Sequence, residues 1–251
     1  MYNHSMKLPV LREYTLNSKK IKKSTSFIML SDLHATEYGE ELLVMTRKLS
    51  PDFVVFAGDM GDEGKAAVVA EKTYAQFGKA FPCYAVMGNH EFSGKVAGRL
   101  ERACMECGVK VLHGDRYLQN GILLCGIDDI AAGKATWENE KQSLREIDDS
   151  LFSVLISHRP DFHAYYRESG FDLVVCGHTH GGQLRFGKIN GVYAPGQGIF
   201  PKYAGGLYSL GKTNMIVGRG LVQNRLPRWG NPPELILVRL EKEDGDMGYT
   251  R

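Results

Sequence analysis

No apolar run in this 251-residue chain approaches the roughly 18 residues of a membrane span, and residues 1–26 lack the basic start, apolar centre and small-residue cleavage site of a signal peptide. A membrane-spanning or secreted protein is therefore not expected. Charge of one sign is also missing: 31 Lys and Arg against 29 Asp and Glu leave a formal charge of +2, which gives no electrostatic case for nucleic-acid binding. Cysteine is scarce and odd in number. Cys83, Cys104, Cys107, Cys125 and Cys176 lie mostly in apolar runs and fit a reducing cytoplasm rather than a disulfide scaffold. The one C-x-x-C, Cys104 and Cys107, has no second pair to complete a zinc site and reads as ordinary thiols at a helix end. Linkers, internal repeats and low-complexity tracts are absent too, so residues 1–251 are expected to form a single domain.

What is present is a composition able to bury a core, 43% hydrophobic and 24% charged, arranged in a repeating scheme. Apolar runs of strand length at 27–30, 53–57, 83–87, 154–156 and 173–176 each end in a short cluster of Asp, His, Asn or Gly. Helical patterns fall between them at 40–49, 64–77, 96–106, 138–150 and 161–169, and this alternation predicts an α/β core. A basic stretch at 18–24 is expected to be a solvated hairpin turn between strands at 10–16 and 26–31. From Gly181 onward the texture becomes glycine- and aromatic-rich, with short strands expected at 215–217 and 235–240 and a charged, fraying tail at 241–251.

The strand-end clusters carry the chemistry. Asp32 and His34 stand two apart, where strand alternation would turn both to one side, so a single metal could take both. Asp59 follows Gly58 after the next run and can bridge two cations, because each carboxylate oxygen keeps free lone pairs. Asn89 offers a hard amide oxygen and His90 an imidazole able to face substrate. His158, His178 and His180 add three imidazoles after two further strands. Each piece alone is common; five pieces in the same position after a strand describe the crevice at the C-terminal edge of an α/β sheet.

In order, these pieces read D-x-H, G-D, G-N-H-E, H and G-H-T-H, and the chain so resembles the calcineurin-like metallophosphoesterases from about Phe27 to Gln183. The segment from Gly177 to Gln183, GHTHGGQ, and the later PPELI are similar to the bacterial YkuE- and YaeI-like phosphodiesterase branch. The resemblance implies a four-layer α-β-β-α sandwich of two mixed sheets flanked by helices. It implies one metal on Asp32, His34, Asp59 and His180 and another on Asp59, Asn89, His158 and His178. The mixed nitrogen and oxygen donors suit two divalent ions of Mn, with Fe or Zn as alternatives, better than Ca or Mg. Such a pair can activate a hydroxide for in-line attack on phosphorus, with His90 stabilising the transition state or protonating the leaving oxygen. The expected function is a phosphodiesterase or pyrophosphatase acting on a small or lipid-linked phosphoester, with a peripheral membrane contact at most. The alternatives are a phosphomonoesterase of nucleotides or phosphoproteins and a non-catalytic metal-binding scaffold.

Other polar residues are left without a catalytic role. His4, His113 and His163 lie outside the motifs. Asp62, Asp128 and Asp129 could orient ligands or cap turns, and Arg219 and Arg225 could meet a phosphate from the C-terminal loops. The apolar loop 191–210 either forms a lid or contact surface or packs back on the second sheet.

Overall fold

The computed structural model describes residues 8–186, 189–223 and 228–243; the readings for His4, Arg225 and the tail from 244 onward lie outside them. The apolar runs become strands whose two faces are both buried, which dictates layers on either side. Six strands, β1 (Val10–Ser18), β2 (Thr25–Leu30), β3 (Phe53–Ala57), β4 (Cys83–Val86), β5 (Val109–Val111) and β14 (Glu234–Lys242), form the first sheet in the order β1-β14-β2-β3-β4-β5. The second sheet contains β6 (Arg116–Gln119), β7 (Ile122–Gly126), β8 (Phe152–Ile156), β9 (Leu173–Cys176), β12 (Gly206–Ser209) and β13 (Asn214–Val217), ordered β12-β13-β9-β8-β7-β6. A small hairpin, β10 (Tyr193–Ala194) with β11 (Gly198–Ile199), stands apart from both. Within each sheet parallel and antiparallel pairs are mixed.

Alternation along β2 shows how the layers are made. Phe27 and Met29 point into the core between the sheets, where they meet Phe53, Val55, Val154, Val175 and Ile216. Ile28 and Leu30 point the other way, onto helices α1 (Glu41–Leu49), α2 (Lys65–Gly78) and α4 (Ala97–Cys107), through Leu42, Tyr74, Phe77 and Leu100. Outside the second sheet, Leu155, Val174 and Cys176 pack on Trp137 of α5 (Lys134–Ser143) and Tyr166 of α6 (His163–Glu168). Three apolar layers separate four structural ones, which is the expected sandwich.

Three local expectations are corrected. The strands at 10–16 and 26–31 are not a hairpin, because β14 lies between them, parallel to β1 and antiparallel to β2. Local charge cannot reveal a strand arriving from the far end of the chain, and the basic turn is anchored by the fully buried Ile21. The helix expected over 138–150 begins and ends earlier, at Lys134–Ser143. Residues 241 and 242 belong to β14 rather than to a frayed tail. The pattern also gave no sign of α3 (Asn89–Ser93), a single helical turn that carries part of the site.

Candidate metal centre

Every residue singled out at a strand end comes to one cleft. Its described lining includes Asp59, Asn89, His90, His178, His180, Gln183, Tyr193 and Pro195. Strand geometry cannot deliver side chains there unaided, so the backbone turns sharply as each strand ends. Asp32, His34, Asp59, His178 and His180 all have φ between 46° and 71°, the left-handed region that non-glycine residues seldom occupy. Strain of this kind is held at functional sites by the surrounding structure. Two glycines make the close approach feasible. A Cβ on Gly58 (φ 83°) would lie 2.6 Å from His158 Nδ1, and one on Gly177 would lie 2.5 Å from Asp32 Oδ2.

The side chains fall into two compact donor sets. Asp32, His34 and His180 form one, with His180 Nε2 3.4 Å from both Asp32 Oδ1 and His34 Nε2. Asp59, His158 and His178 form the other, with His158 Nε2 3.1 Å from Asp59 Oδ2 and 3.2 Å from His178 Nδ1. Asp59 Oδ1 accepts from the His90 backbone N–H at 2.8 Å, which fixes the carboxylate. His158 Nδ1 lies 2.8 Å from the Ala57 carbonyl, so that nitrogen carries a proton and Nε2 is the atom turned toward Asp59, where a cation would take it.

The donor set fits metal ions on observations of the side chains themselves. Asn89 Oδ1 and His178 Nε2 are buried and have no hydrogen-bond partner, although burying a polar atom unpaired costs about 1–3 kcal/mol. Burial, reinforced by the neighbouring His158, pushes His178 down to about 3, so its ring stays neutral and able to donate a lone pair. For His158 burial also opposes charge, but the carboxylates of Asp59 and Asp32 outweigh it and lift the imidazole to about 10, so in the metal-free cleft both ring nitrogens carry protons and a bound cation would displace the one on Nε2. The reciprocal effect holds the Asp59 carboxyl far below its usual range against the pull of burial, and His180 likewise holds Asp32 at about 2. Two ionised carboxylates in a buried, imidazole-lined cleft form a strong cation site.

His90 sits on α3 at the cleft, with Nδ1 2.9 Å from Asp62 Oδ2. Asp62 therefore orients the candidate acid, a residue outside the proposed ligand set. His34, Asp62 and His90 also lie close enough together to form a further donor group. Of Asp128 and Asp129, only the second caps a turn, and the partners of both are residues outside the proposed ligand set. Asp128 Oδ1 accepts from Met87 N at 2.9 Å, while Asp129 caps Ala131 N at 2.8 Å and takes Arg159 Nε at 2.5 Å. Arg219 turns to Glu234, with Nε 3.1 Å from Oε1. His163 packs against Tyr203, with ring centroids 4.8 Å apart and planes tilted by 49°.

Glu91 is the residue whose role the motif conceals. Wholly buried, it accepts the N–H groups of Asp59 (3.0 Å), Gly61 (2.9 Å) and Gly88 (2.8 Å), tying the β3 and β4 loops together. Burial, with Asp59 nearby, raises its carboxyl to about 8, and the backbone donors oppose that rise. Arg159 also went unremarked, although its place next to His158 was a signal.

The chain belongs to the calcineurin-like phosphoesterases: that family's model matches residues 25–182, a stretch that contains every proposed ligand. It is thus a hydrolase of phosphoester bonds, in a family that uses divalent metals. It is similar to the uncharacterized metallophosphoesterase YkuE of Bacillus subtilis (strain 168), 28% identical over 91% of this chain and 84% of that one. It is similar also to the phosphodiesterase YaeI of Escherichia coli (strain K12), 23% identical over 85% of this chain and 81% of that one. A solved structure only 10% identical in sequence superposes with a TM-score of 0.51 over 77% of this chain and 90% of its own, a likeness of fold alone.

Proposed function

We propose that the protein is a binuclear phosphodiesterase or pyrophosphatase, working as one domain, that cleaves a small or lipid-linked phosphoester. The observation that carries this reading is the pair of donor sets, Asp32 with His34 and His180 and Asp59 with His158 and His178, together with Asn89 Oδ1 and His178 Nε2, which are buried and unpartnered. One ion would be held by Asp32, His34, Asp59 and His180, and the other by Asp59, Asn89, His158 and His178. Manganese suits these mixed donors best, with iron or zinc next. Bound divalent ions supply Lewis-acid charge and an activated water to attack phosphorus.

The chain's own residues do the rest. Asp59 and Asp32 provide the negative charge that retains cations, and the Ala57 carbonyl keeps the His158 lone pair directed inward. His90, oriented by Asp62, donates to the phosphoryl oxygens or protonates the leaving alcohol. The similarity to YaeI supports diester over monoester cleavage. Five free thiols support a cytoplasmic setting.

The test is hydrolysis of bis-p-nitrophenyl phosphate and p-nitrophenyl phosphate with added Mn²⁺. Metal-dependent cleavage of the diester in excess of the monoester is expected. Faster monoester cleavage would move the assignment to a phosphomonoesterase, and no cleavage of either with Mn, Fe or Zn would move it to a metal-binding scaffold.

A further inference from the structure

The segment from residue 173 to 233 contains none of the chain's 29 Asp and Glu but seven of its 31 Lys and Arg. The remainder of the molecule is therefore acidic, and the +2 total hides a charge separation. The same segment holds the surface aromatics. Among the described residues, every exposed large aromatic, namely Phe186, Tyr193, Phe200 and Trp229, falls within it. Soluble proteins scatter exposed apolar residues singly; a cluster within one basic segment marks an interaction surface.

Local geometry gathers these residues around the mouth of the metal cleft. Tyr193 and Ile199 are direct partners across β10 and β11, so their side chains share a face, and Tyr193 lines the cleft. Phe200 follows, with its N–H on the Val192 carbonyl at 2.9 Å. Phe186 and Ile189 face each other across a bridge, and Trp229 is held beside them by the Arg185 N–H on its carbonyl, also at 2.9 Å. The loop anticipated either to pack back or to stand out does both. Tyr203 and Leu210 are buried against the second sheet, while Ile199 and Phe200 are 71% and 66% exposed. Side chains that prominent do not wall a pocket for a small molecule. They project as a wedge does into an interface, with Lys202 exposed next to them.

We propose that this face docks on an anionic lipid surface, with Ile199, Phe200 and Trp229 entering the headgroup region and the exposed Lys202 beside them drawn to the lipid charge. The cleft then opens toward the bilayer. Together with the proposed phosphodiesterase activity, on which this part rests, that makes the substrate a membrane-borne phosphoester. Tyr and Trp favour such interfaces because one end of each ring system is apolar and the other polar, and a Lys near an anionic surface is attracted to it.

Sedimentation of the full chain with vesicles tests this, comparing phosphatidylcholine alone with phosphatidylcholine mixed with phosphatidylglycerol. Binding to the anionic vesicles only, weakened by salt, is expected. Trp229 emission should shift to the blue, since the other tryptophan, Trp137, is already buried. The double variant Ile199→Ser, Phe200→Ser should partition about tenfold less or weaker still, whereas Met105→Ser, at a 70% exposed position on α4, should bind as wild type does. Hydrolysis of bis-p-nitrophenyl phosphate by the double variant should be unchanged, which shows that it folds. Wild type that fails to bind anionic vesicles at low salt, or a double variant that binds equally, overturns the docking surface. Vesicle binding without diesterase activity would keep the surface and overturn the membrane-borne substrate.

Discussion

The two sheets contribute unequally to the cleft. The first supplies Asp32, His34, Asp59, Asn89 and His90, and with them both carboxylates of the proposed ligand set; the second supplies only imidazoles, His158, His178 and His180. Dependence runs in one direction as well. The first sheet's loops are tied to one another through Glu91, whereas the second sheet's histidines are oriented by the first sheet, His158 by the Ala57 carbonyl and His178 N by Asp32 Oδ1 at 2.9 Å. Negative charge and alignment thus both originate in the first sheet, and the second adds imidazole nitrogens placed by it. Losing a carboxylate should then be worse than any other single change. Asp59→Asn is expected to lower diesterase activity by about a thousandfold or more and to reduce bound metal at both sites, because both proposed sets share that residue. Elemental analysis showing a full metal complement in that variant would break the asymmetry.

His90 belongs to the same sheet but not to the proposed ligand set, so it separates catalysis from binding. His90→Ala should retain both metals and lose about two to four orders of magnitude in turnover. Loss of metal in parallel with rate would instead make His90 a ligand alongside His34 and Asp62. This distinction shows what the sequence could convey. D-x-H, G-D, G-N-H-E, H and G-H-T-H named every residue now found in the cleft's donor groups apart from Asp62, because a short motif at a strand end is a local signal. Helices α1, α2 and α4 fall within a residue of expectation for the same reason. The place of β14 between β1 and β2, and the two β3-loop groups gathered by Glu91, Asp59 N and Gly61 N, depend on partners distant in sequence, and no local pattern encodes them. The loop 191–210 stayed ambiguous because its aromatics are alike in type and differ only in which are covered.

Glu91 offers a smaller effect on the same comparison. In Glu91→Gln an amide NH₂ must face one of the backbone N–H groups that the carboxylate now accepts, leaving a buried donor unpaired at a cost of about 1–3 kcal/mol. For a chain of this size that lowers Tm by roughly 2–4 °C per kcal/mol. Thermal unfolding of the metal-free protein reads this directly; an unchanged Tm would mean that the β3 and β4 loops do not need Glu91 to hold them.

The smallest effect lies away from the cleft yet touches the same strand end. His113 Nδ1 is 2.6 Å from Asp128 Oδ2 and its Nε2 is 3.1 Å from Glu101, while Glu140 faces the same group and Asp128 holds the Met87 N–H. The hydrogen bond to Asp128, only partly opposed by burial, raises His113 to about 9. A histidine raised on folding contributes stability that is complete below its unfolded value of about 6.5 and is lost as pH rises through the folded value. Glu140 is raised to about 7, by burial and then by Asp128, so its own contribution fades lower, between the usual glutamate range and about 7. The two windows separate. His113→Gln should leave the fall in stability below pH 7 in place and flatten the fall from pH 7 to 9, with a shift of only a few degrees in Tm because the histidine is 38% exposed. Parallel Tm profiles for variant and wild type across pH 7–9 would show that the pair contributes nothing to holding Met87 and the loop that follows it.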